Sequence, residues 1–170
     1  MNGQTECVLA LGSNLGDSPS LLSEALVDIA DLRDSSLHTV SRWYGSTPLG
    51  GPEGQPDYIN GAVLITTALT PEILLKQLHA IELRYGRERS VRNAARTLDI
   101  DIIDYAGVKT ASETLTLPHP RAHQRAFVLL PLRDVKEQVI LKGQSLDFWL
   151  GKLSHADLAQ CRVRSSLFQA

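Results

Sequence analysis

Two aspartates, Asp99 and Asp101, alternate with Leu98, Ile100 and Ile102 in the middle of the chain. Alternation at period two is typical of a β-strand, on which successive side chains face opposite ways. The two carboxylates therefore share one face, about 7 Å apart along the strand. Because an unpaired carboxylate on a half-buried strand is costly, a cation is expected to compensate each charge.

Two kinds of cation fit this pattern. Mg²⁺ binds one or two carboxylates together with waters and the oxygens of a polyphosphate. Arginines are the other candidates, and the preceding segment is rich in them, with Glu88 as the only opposing charge: Arg84, Arg87, Arg89, Arg92 and Arg96. Spacing alone leaves three interpretations open, namely a magnesium site, an arginine-neutralised pair and a solvated edge strand.

The chain has 170 residues and a formal net charge of -2. This length predicts a single domain over residues 1–170 with a core of its own. The near-neutral charge argues against nonspecific binding to nucleic acid or to a membrane. The local cluster of arginines instead suits a compact polyanion.

Cys7 and Cys161 lie far apart and have no metal-binding partners at motif spacing. This favours a reduced cytoplasmic protein, with a disulfide between the two as the open alternative. The first residues lack the features of a signal peptide, and no apolar stretch reaches the ~18 residues that span a bilayer. We expect a cytoplasmic monomer that acts on small molecules.

Apolar periodicity predicts most of the remaining elements. Strands are predicted at 6–11, 37–46, 58–67 and 114–117, besides the strand that carries the two aspartates. Helices are predicted to begin at Ser18-Pro19, to run from Thr70-Pro71 to Gly86, and to lie around 146–153. The apolar run 128–132 is expected in the core. We find no chemical motif in 134–170.

Several loops and strand ends carry further candidates. The glycine-rich loop 12–16 is either a structural strand-to-helix turn or a ligand loop, and it lacks the lysine of a P-loop. Residues 47–56, here called the flap, are rich in glycine and proline and are predicted to cover a ligand. Tyr58 and Asn60 share a strand face, so they either hold a flat heteroaromatic ring or belong to an ordinary core. A histidine and two arginines within 119–125 are predicted to join an anion site.

Residues 92–103, Arg-Asn-Ala-Ala-Arg-Thr-Leu-Asp-Ile-Asp-Ile-Ile, resemble the signature of the 6-hydroxymethyl-7,8-dihydropterin pyrophosphokinase family of folate biosynthesis. Other motifs match in the same order, at 12–16, 47–48, 55–60, 81–82, 86–89, 118–121 and 125–127. The likeness covers about residues 6–133. Several motifs in sequence are far more specific than any one of them.

This resemblance implies an α+β, ferredoxin-like fold, an antiparallel sheet with helices packed on it and mobile loops over the site. It implies that ATP donates its β,γ-diphosphate to the hydroxymethyl group of the dihydropterin, leaving AMP. Carried over by position, the metal ligands for two Mg²⁺ are Asp99 and Asp101, and the catalytic arginines are Arg87 and Arg96. The pterin-binding positions are Thr47, Pro48, Tyr58, Asn60 and Phe127. The ATP-binding positions are Glu82, Arg89, Arg92, Ile102, Thr116, His119 and Arg125.

Asn93 is the main departure from the family pattern, which usually has a tryptophan there. It motivates a second hypothesis, a divergent paralogue that binds pterin or nucleotide with weak or no transfer. A third hypothesis, a ferredoxin-like module that binds single-stranded RNA, is disfavoured by the net charge and by the lack of paired aromatics in strand motifs.

Overall fold

The structure is a computed structural model that describes residues 3–86 and 94–164. Its strands are β1 (Thr5–Ser13), β2 (Ser35–Val40), β3 (Tyr44–Ser46), β4 (Tyr58–Thr67), β5 (Asp99–Tyr105), β6 (Thr110–Ala111), β7 (Thr116–Leu117), β8 (Ile140–Leu141), β9 (Gln144–Ser145) and β10 (Cys161–Val163). Its α-helices are α1 (Ser18–Ala30), α2 (Pro71–Arg84), α3 (Ala126–Val135), α4 (Leu146–Leu150) and α5 (His155–Ala159), with a short 3₁₀ helix at Ala122–Gln124.

The main sheet is antiparallel, in the order β10-β3-β4-β1-β5, and β2 also pairs with β4. Helices α1 and α2 cover one face, where Leu22 and Leu78 pack with Leu11 and Ile100. Helix α3 covers part of the other face, where its Leu129 joins a second apolar cluster. Helices on an antiparallel sheet make an α+β, ferredoxin-like fold, which confirms the predicted class.

Helices α1 and α2 begin at or next to the residues predicted from their capping motifs. Thr70 caps α2 by accepting the backbone N–H of Ile73, and Pro71 is the first helical residue. In α1 the capping residue is Asp17, which accepts from the N–H and the hydroxyl of Ser20. Ser18 was expected to be this cap and lies one residue inside the helix instead.

The single strand expected over 37–46 is wrong, because it divides into β2 and β3 along one edge of β4. At the break, the Ser41 hydroxyl accepts the N–H of Ala62 at 2.8 Å. The ring of Trp43 then lies directly on Gly61, where an added Cβ would come within 2.5 Å of it. A glycine is required there because the tryptophan occupies the space of a side chain.

Later elements also differ in part from expectation. Of the strand predicted at 114–117 only Thr116–Leu117 is regular, and the helix predicted at 146–153 ends at Leu150. The run 128–132 is in the core as expected, within α3. Cys7 and Cys161 are both buried and free. No helix in the described ranges is long and apolar enough to cross a bilayer.

One polar contact fastens α3 to the edge of the sheet. Asp134 accepts hydrogen bonds from the backbone N–H and guanidinium of Arg42, the shortest at 2.7 Å, and from the hydroxyl of Tyr44 at 2.9 Å. Burial opposes the charge of Asp134, but these donors hold its pKa below the ordinary value. The contact therefore stabilises the fold only while Asp134 is ionised.

We predict that Asp134→Asn lowers the free energy of unfolding at pH 7 by about 1–2 kcal/mol, because the charged acceptor is lost. Since the folded pKa lies below the unfolded value of 3.8, this stabilisation is complete above about pH 5, declines as the pH falls below 3.8 and is lost as the pH passes the folded pKa. The difference from wild type should therefore narrow towards pH 3. Urea unfolding at both pH values measures it.

The matched control is Glu137→Gln, which removes an exposed carboxylate just beyond α3. It should leave stability at pH 7 within about 0.5 kcal/mol of wild type. A constant difference for Asp134→Asn at all pH values would contradict the role of its charge.

Candidate active site

A cavity of about 300 Å³ opens on the sheet face that carries α3, beside the N-terminus of that helix. It gathers nine of the residues predicted for the site: Thr47, Tyr58, Asn60, Arg96, Asp99, Asp101, His119, Arg125 and Phe127. These residues come from β4, β5, α3 and three connecting segments. Residues predicted separately for metal, nucleotide and pterin thus share one cavity.

Strand register explains how the floor of the cavity is built. Gly12 of β1 pairs with Asp99 of β5 on one side and with Asn60 of β4 on the other. A Cβ at Gly12 would lie 3.3 Å from Asn60 Oδ1 and 3.8 Å from Tyr58 Cδ1. The absence of a side chain at Gly12 thus makes room for the Asn60 amide and the Tyr58 ring on this face. Ala10, which pairs with Asp101, likewise has only a small side chain on this face of the sheet.

The alternating pattern of β5 is confirmed. Leu98, Ile100 and Ile102 are buried in the core under α1 and α2, while both aspartates line the cavity. Two carboxylates open to one cavity fit Mg²⁺ that takes its remaining ligands from water and substrate phosphates. No group of three or more metal-binding side chains occurs in the described parts of the chain, so the fit depends on these two carboxylates.

The Asp99 carboxylate pairs with Arg96, whose Nη1 lies 2.6 Å from Asp99 Oδ1. Burial opposes the arginine's charge, but this carboxylate raises the pKa of Arg96 above its ordinary value. Arginine pairing, one of the interpretations left open, is therefore present for Asp99. It does not exclude a cation site, because the same carboxylate also lines the cavity.

The segment 119–125 contributes a histidine and two arginines to the cavity. His119, Arg121 and Arg125 line it, and His119 Nε2 lies 3.9 Å from Asp101 Oδ2. Burial, with Arg125 and Arg121 nearby, lowers the pKa of His119 to about 4, so the imidazole is neutral at pH 7. It can therefore act as a hydrogen-bonding group there, while the arginines supply the positive charge.

Arg121 was not assigned a site role, although it belongs to the cluster expected to bind an anion. Its guanidinium opposes the charge of Arg125, whose pKa is lowered first by burial and then by Arg121. Two arginines held close together favour an anion that neutralises both. The composition of 118–125 was the available signal, and the structure adds its position in the cavity.

The aromatic and amide groups predicted for a heteroaromatic ring lie in the same cavity. The hydroxyl of Tyr58 donates to the carbonyl of Ala94 at 3.2 Å, and burial raises the pKa of Tyr58. Asn60 donates to the hydroxyl of Ser46 at 2.8 Å. Phe127 has the guanidinium of Arg125 5.6 Å from its ring centre. An aromatic pair and an oriented amide can hold a flat polar ring.

Asn14 joins three loops around the cavity although its own side chain is only 3% exposed. Its Oδ1 accepts the N–H of Arg96 at 2.8 Å, and its backbone N–H donates to the carbonyl of Arg96 at 3.0 Å. Its Nδ2 donates to the carbonyl of Pro56 at 3.0 Å. The 12–16 loop therefore serves as a structural turn that positions Arg96 and the end of the flap.

Glu82, predicted to bind ATP, is only 1% exposed. Its Oε1 accepts the N–H of Ile100 at 2.7 Å. Ile100 lies between the two aspartates on β5, the strand at the end of the main sheet path. Glu82 thus stabilises the strand edge that presents both carboxylates. It does not line the cavity, so direct contact with ATP stays a prediction.

The other predicted residues fall into two groups. Pro48, Ile102 and Thr116 are described but do not line the cavity. The Ile102 side chain packs in the core, which leaves only its backbone for a ligand contact. Four further positions lie outside the described residues: Arg87, predicted to be catalytic, Arg89 and Arg92, predicted to bind ATP, and Asn93, the departure from the family pattern.

Comparisons with known proteins agree on one family. A family model described as 7,8-dihydro-6-hydroxymethylpterin-pyrophosphokinase matches residues 8–137. The 2-amino-4-hydroxy-6-hydroxymethyldihydropteridine pyrophosphokinase of Haemophilus influenzae is 41% identical over 138 residues, covering 81% of this chain and 86% of that protein. The protein of the same name from Methylorubrum extorquens is 36% identical over 149 residues, covering 88% and 94%.

Solved structures agree at the level of the fold. A crystal structure of wild-type Plasmodium falciparum HPPK-DHPS with pteroate aligns with a TM-score of 0.68 and 14% sequence identity. The alignment covers 88% of this chain but only 42% of that chain, so this protein spans less than half of the longer one. At this identity the likeness concerns the fold alone.

We predict that Asn14→Ala lowers the free energy of unfolding by about 1–3 kcal/mol, because it removes the hydrogen bonds to the Arg96 N–H and the Pro56 carbonyl. Asn14→Asp keeps the acceptor for Arg96 and loses only the donor to Pro56, so its loss should be smaller. Urea unfolding of both variants measures which of them loses more stability. The control is Gln138→Ala, an exposed amide remote from the cavity. Equal stability of Asn14→Ala and the control would contradict the prediction.

Proposed function

The chain belongs to the 7,8-dihydro-6-hydroxymethylpterin-pyrophosphokinase family, and we propose that its cavity performs that reaction. ATP donates its β,γ-diphosphate to the hydroxymethyl group of 6-hydroxymethyl-7,8-dihydropterin, and AMP is released. The enzyme is a 2-amino-4-hydroxy-6-hydroxymethyldihydropteridine diphosphokinase of folate biosynthesis, with ATP as co-substrate.

One observation carries this proposal. The two aspartates and the cations suited to a polyphosphate lie in the same cavity as Tyr58, Asn60 and Phe127. Asp99 and Asn60 lie on either side of Gly12, so their backbones are two strand spacings apart, about 10 Å. That gap admits the hydroxymethyl group of a ring held at Asn60 and the phosphates held at Asp99.

The reaction needs no covalent enzyme intermediate. The hydroxyl oxygen of the dihydropterin attacks the β-phosphorus, and the bond from that phosphorus to the oxygen bridging to the α-phosphate breaks. AMP leaves with the bridging oxygen, and the hydroxyl proton is released. Such transfer depends on in-line positioning and on neutralising charge at the phosphate oxygens.

The side chains of the cavity divide these tasks. Tyr58 and Phe127 hold the pterin ring between them, and Asn60 bonds its polar edge. Arg96, Arg121 and Arg125 bind phosphate oxygens, while neutral His119 offers a hydrogen bond without adding charge. Closure of the flap excludes water, which would otherwise accept the diphosphate.

We propose that Asp99 and Asp101 hold two Mg²⁺, which neutralise the triphosphate oxygens when bound. To hold a cation, the Asp99 carboxylate would give up part of its ion pair with Arg96. The Arg96 guanidinium would then be available to the substrate phosphates. Arg87, Arg89 and Arg92 contribute further contacts in this proposal by their motif positions. We also propose that the chain acts as a monomer, as expected from its sequence.

Nothing in the comparisons supports the alternative of a paralogue that binds without transfer. The deciding assay combines purified protein, ATP, Mg²⁺ and hydroxymethyldihydropterin and follows AMP. We expect AMP to form only when the dihydropterin is present. AMP at the same rate without it, or none at micromolar enzyme, would refute the proposal.

For the metal ligands we predict that Asp99→Ala and Asp101→Ala each lower kcat at least 10³-fold, because the phosphate charge is no longer neutralised. Circular dichroism should show an intact fold, since both side chains face the cavity and not the core. Asp147→Ala, at an exposed position of α4, is the control and should keep wild-type turnover. Near-native turnover of either cavity variant would show that the substituted aspartate is not a metal ligand.

A further inference from the structure

The segment 155–164, comprising α5, β10 and Arg164, lies beyond the part of the chain that matches the family model. Sequence analysis assigned it no role. In the structure it lies against the pterin side of the cavity and contacts two residues proposed to hold the dihydropterin, Thr47 and Phe127. This position allows the segment to affect one substrate and not the other.

Its first contact is with the start of the flap. Strand β10 pairs with β3 so that Cys161 lies opposite Ser46, where the regular ladder ends. One residue further, the hydroxyl of Thr47 donates to Oε1 of Gln160 at 3.1 Å. The side-chain bond therefore continues the pairing into the first residue of the flap.

The second contact of the segment is with Phe127, through the apolar cluster that contains Cys161. Cys161 is buried against Tyr44 and Ala126, and Phe127 and Leu158 pack on the same cluster. A small cavity of about 40 Å³ is lined by Gln160 and Cys161 together with Thr47 and Phe127. The segment thus supports the ring and the flap together.

The segment is itself fixed at both ends. At its start, Ser154 and Asp157 form a reciprocal cap on α5. At its end, the N–H of Arg164 donates to the carbonyl of Trp43 at 2.8 Å, and the arginine side chain covers Gly45. A Cβ at Gly45 would lie 2.6 Å from Arg164 Nε, so a larger residue there would displace the exposed arginine side chain. A rigid support is suited to positioning a loop.

We propose that Gln160 is a positioning residue that sets the flap over the dihydropterin by holding the Thr47 hydroxyl. It contacts neither the substrates nor the reacting atoms. Its effect falls mainly on the dihydropterin, because Gln160 is hydrogen-bonded to Thr47, whereas Arg125, proposed to bind phosphate, only shares the lining of the small cavity. The proposal rests on the proposed function, since it names the substrate whose binding the segment controls.

The test compares three variants of the full chain. Gln160→Ala removes the acceptor, and we expect KM and Kd for the dihydropterin to rise about three- to tenfold, the worth of one hydrogen bond. The KM for ATP and the unfolding midpoint should stay at wild-type values. Gln160→Glu retains an Oε acceptor and should restore dihydropterin binding to within twofold. Arg162→Ala, at an exposed position of β10, is the control; it removes a hydrogen bond to the Ala159 carbonyl and none to the flap, so it should resemble wild type.

A double-mutant cycle with Thr47→Val tests the contact itself. If Gln160 acts through the Thr47 hydroxyl, Gln160→Ala should weaken dihydropterin binding no further in the Thr47→Val background. Fully additive losses would overturn the proposal, as would equal rises in KM for both substrates. Failure of Gln160→Glu to rescue binding would overturn it too.

A measurement without substrates separates this inference from the proposed function. Amide hydrogen exchange in the flap of the ligand-free protein should be faster in Gln160→Ala than in wild type or Arg162→Ala. If wild type forms no AMP and binds no dihydropterin, the proposed function has failed, while faster flap exchange still supports the positioning contact. Unchanged exchange in Gln160→Ala would overturn the contact whatever the activity.

Discussion

The antiparallel register of β5 on β1 is the constraint on which the site depends. It sets Asp99 beside Gly12 and Asp101 beside Ala10, so each carboxylate has a small neighbour instead of a bulky one. A shift of one residue would turn both aspartates into the core and their aliphatic neighbours into the cavity. Glu82 stabilises this register by accepting the N–H of the residue between the aspartates.

The charges of the cavity are compensated before any substrate binds. Arg96 neutralises Asp99, while Arg121 and Arg125 lie close enough to oppose each other's charge. A bound polyphosphate would neutralise Arg121 and Arg125, and the cations that accompany it would supply positive charge to the aspartates. The neutral His119 avoids adding a further positive charge to this crowded group.

The two halves of the cavity are positioned by different parts of the chain. The phosphate half depends on β1, β5 and the Asn14 contacts to Arg96. The pterin half depends on α3, which Asp134 fastens to the sheet edge, and on the 155–164 segment behind Thr47 and Phe127. Asn14 also holds the end of the flap through the Pro56 carbonyl, so the two supports meet at that residue.

Much of this was determined by the sequence alone, because the signals are local. Alternation placed Asp99 and Asp101 on one face, caps placed α1 and α2, and the motif order indicated the family and its fold. The tertiary structure decided contacts between residues far apart in the chain: Asn14 with Pro56, Glu82 with Ile100, and Gln160 with Thr47. It also decided the break before β3, where Trp43 needs the space above Gly61. Periodicity reports which face a side chain takes, whereas the partner on that face depends on how separate strands and loops pack.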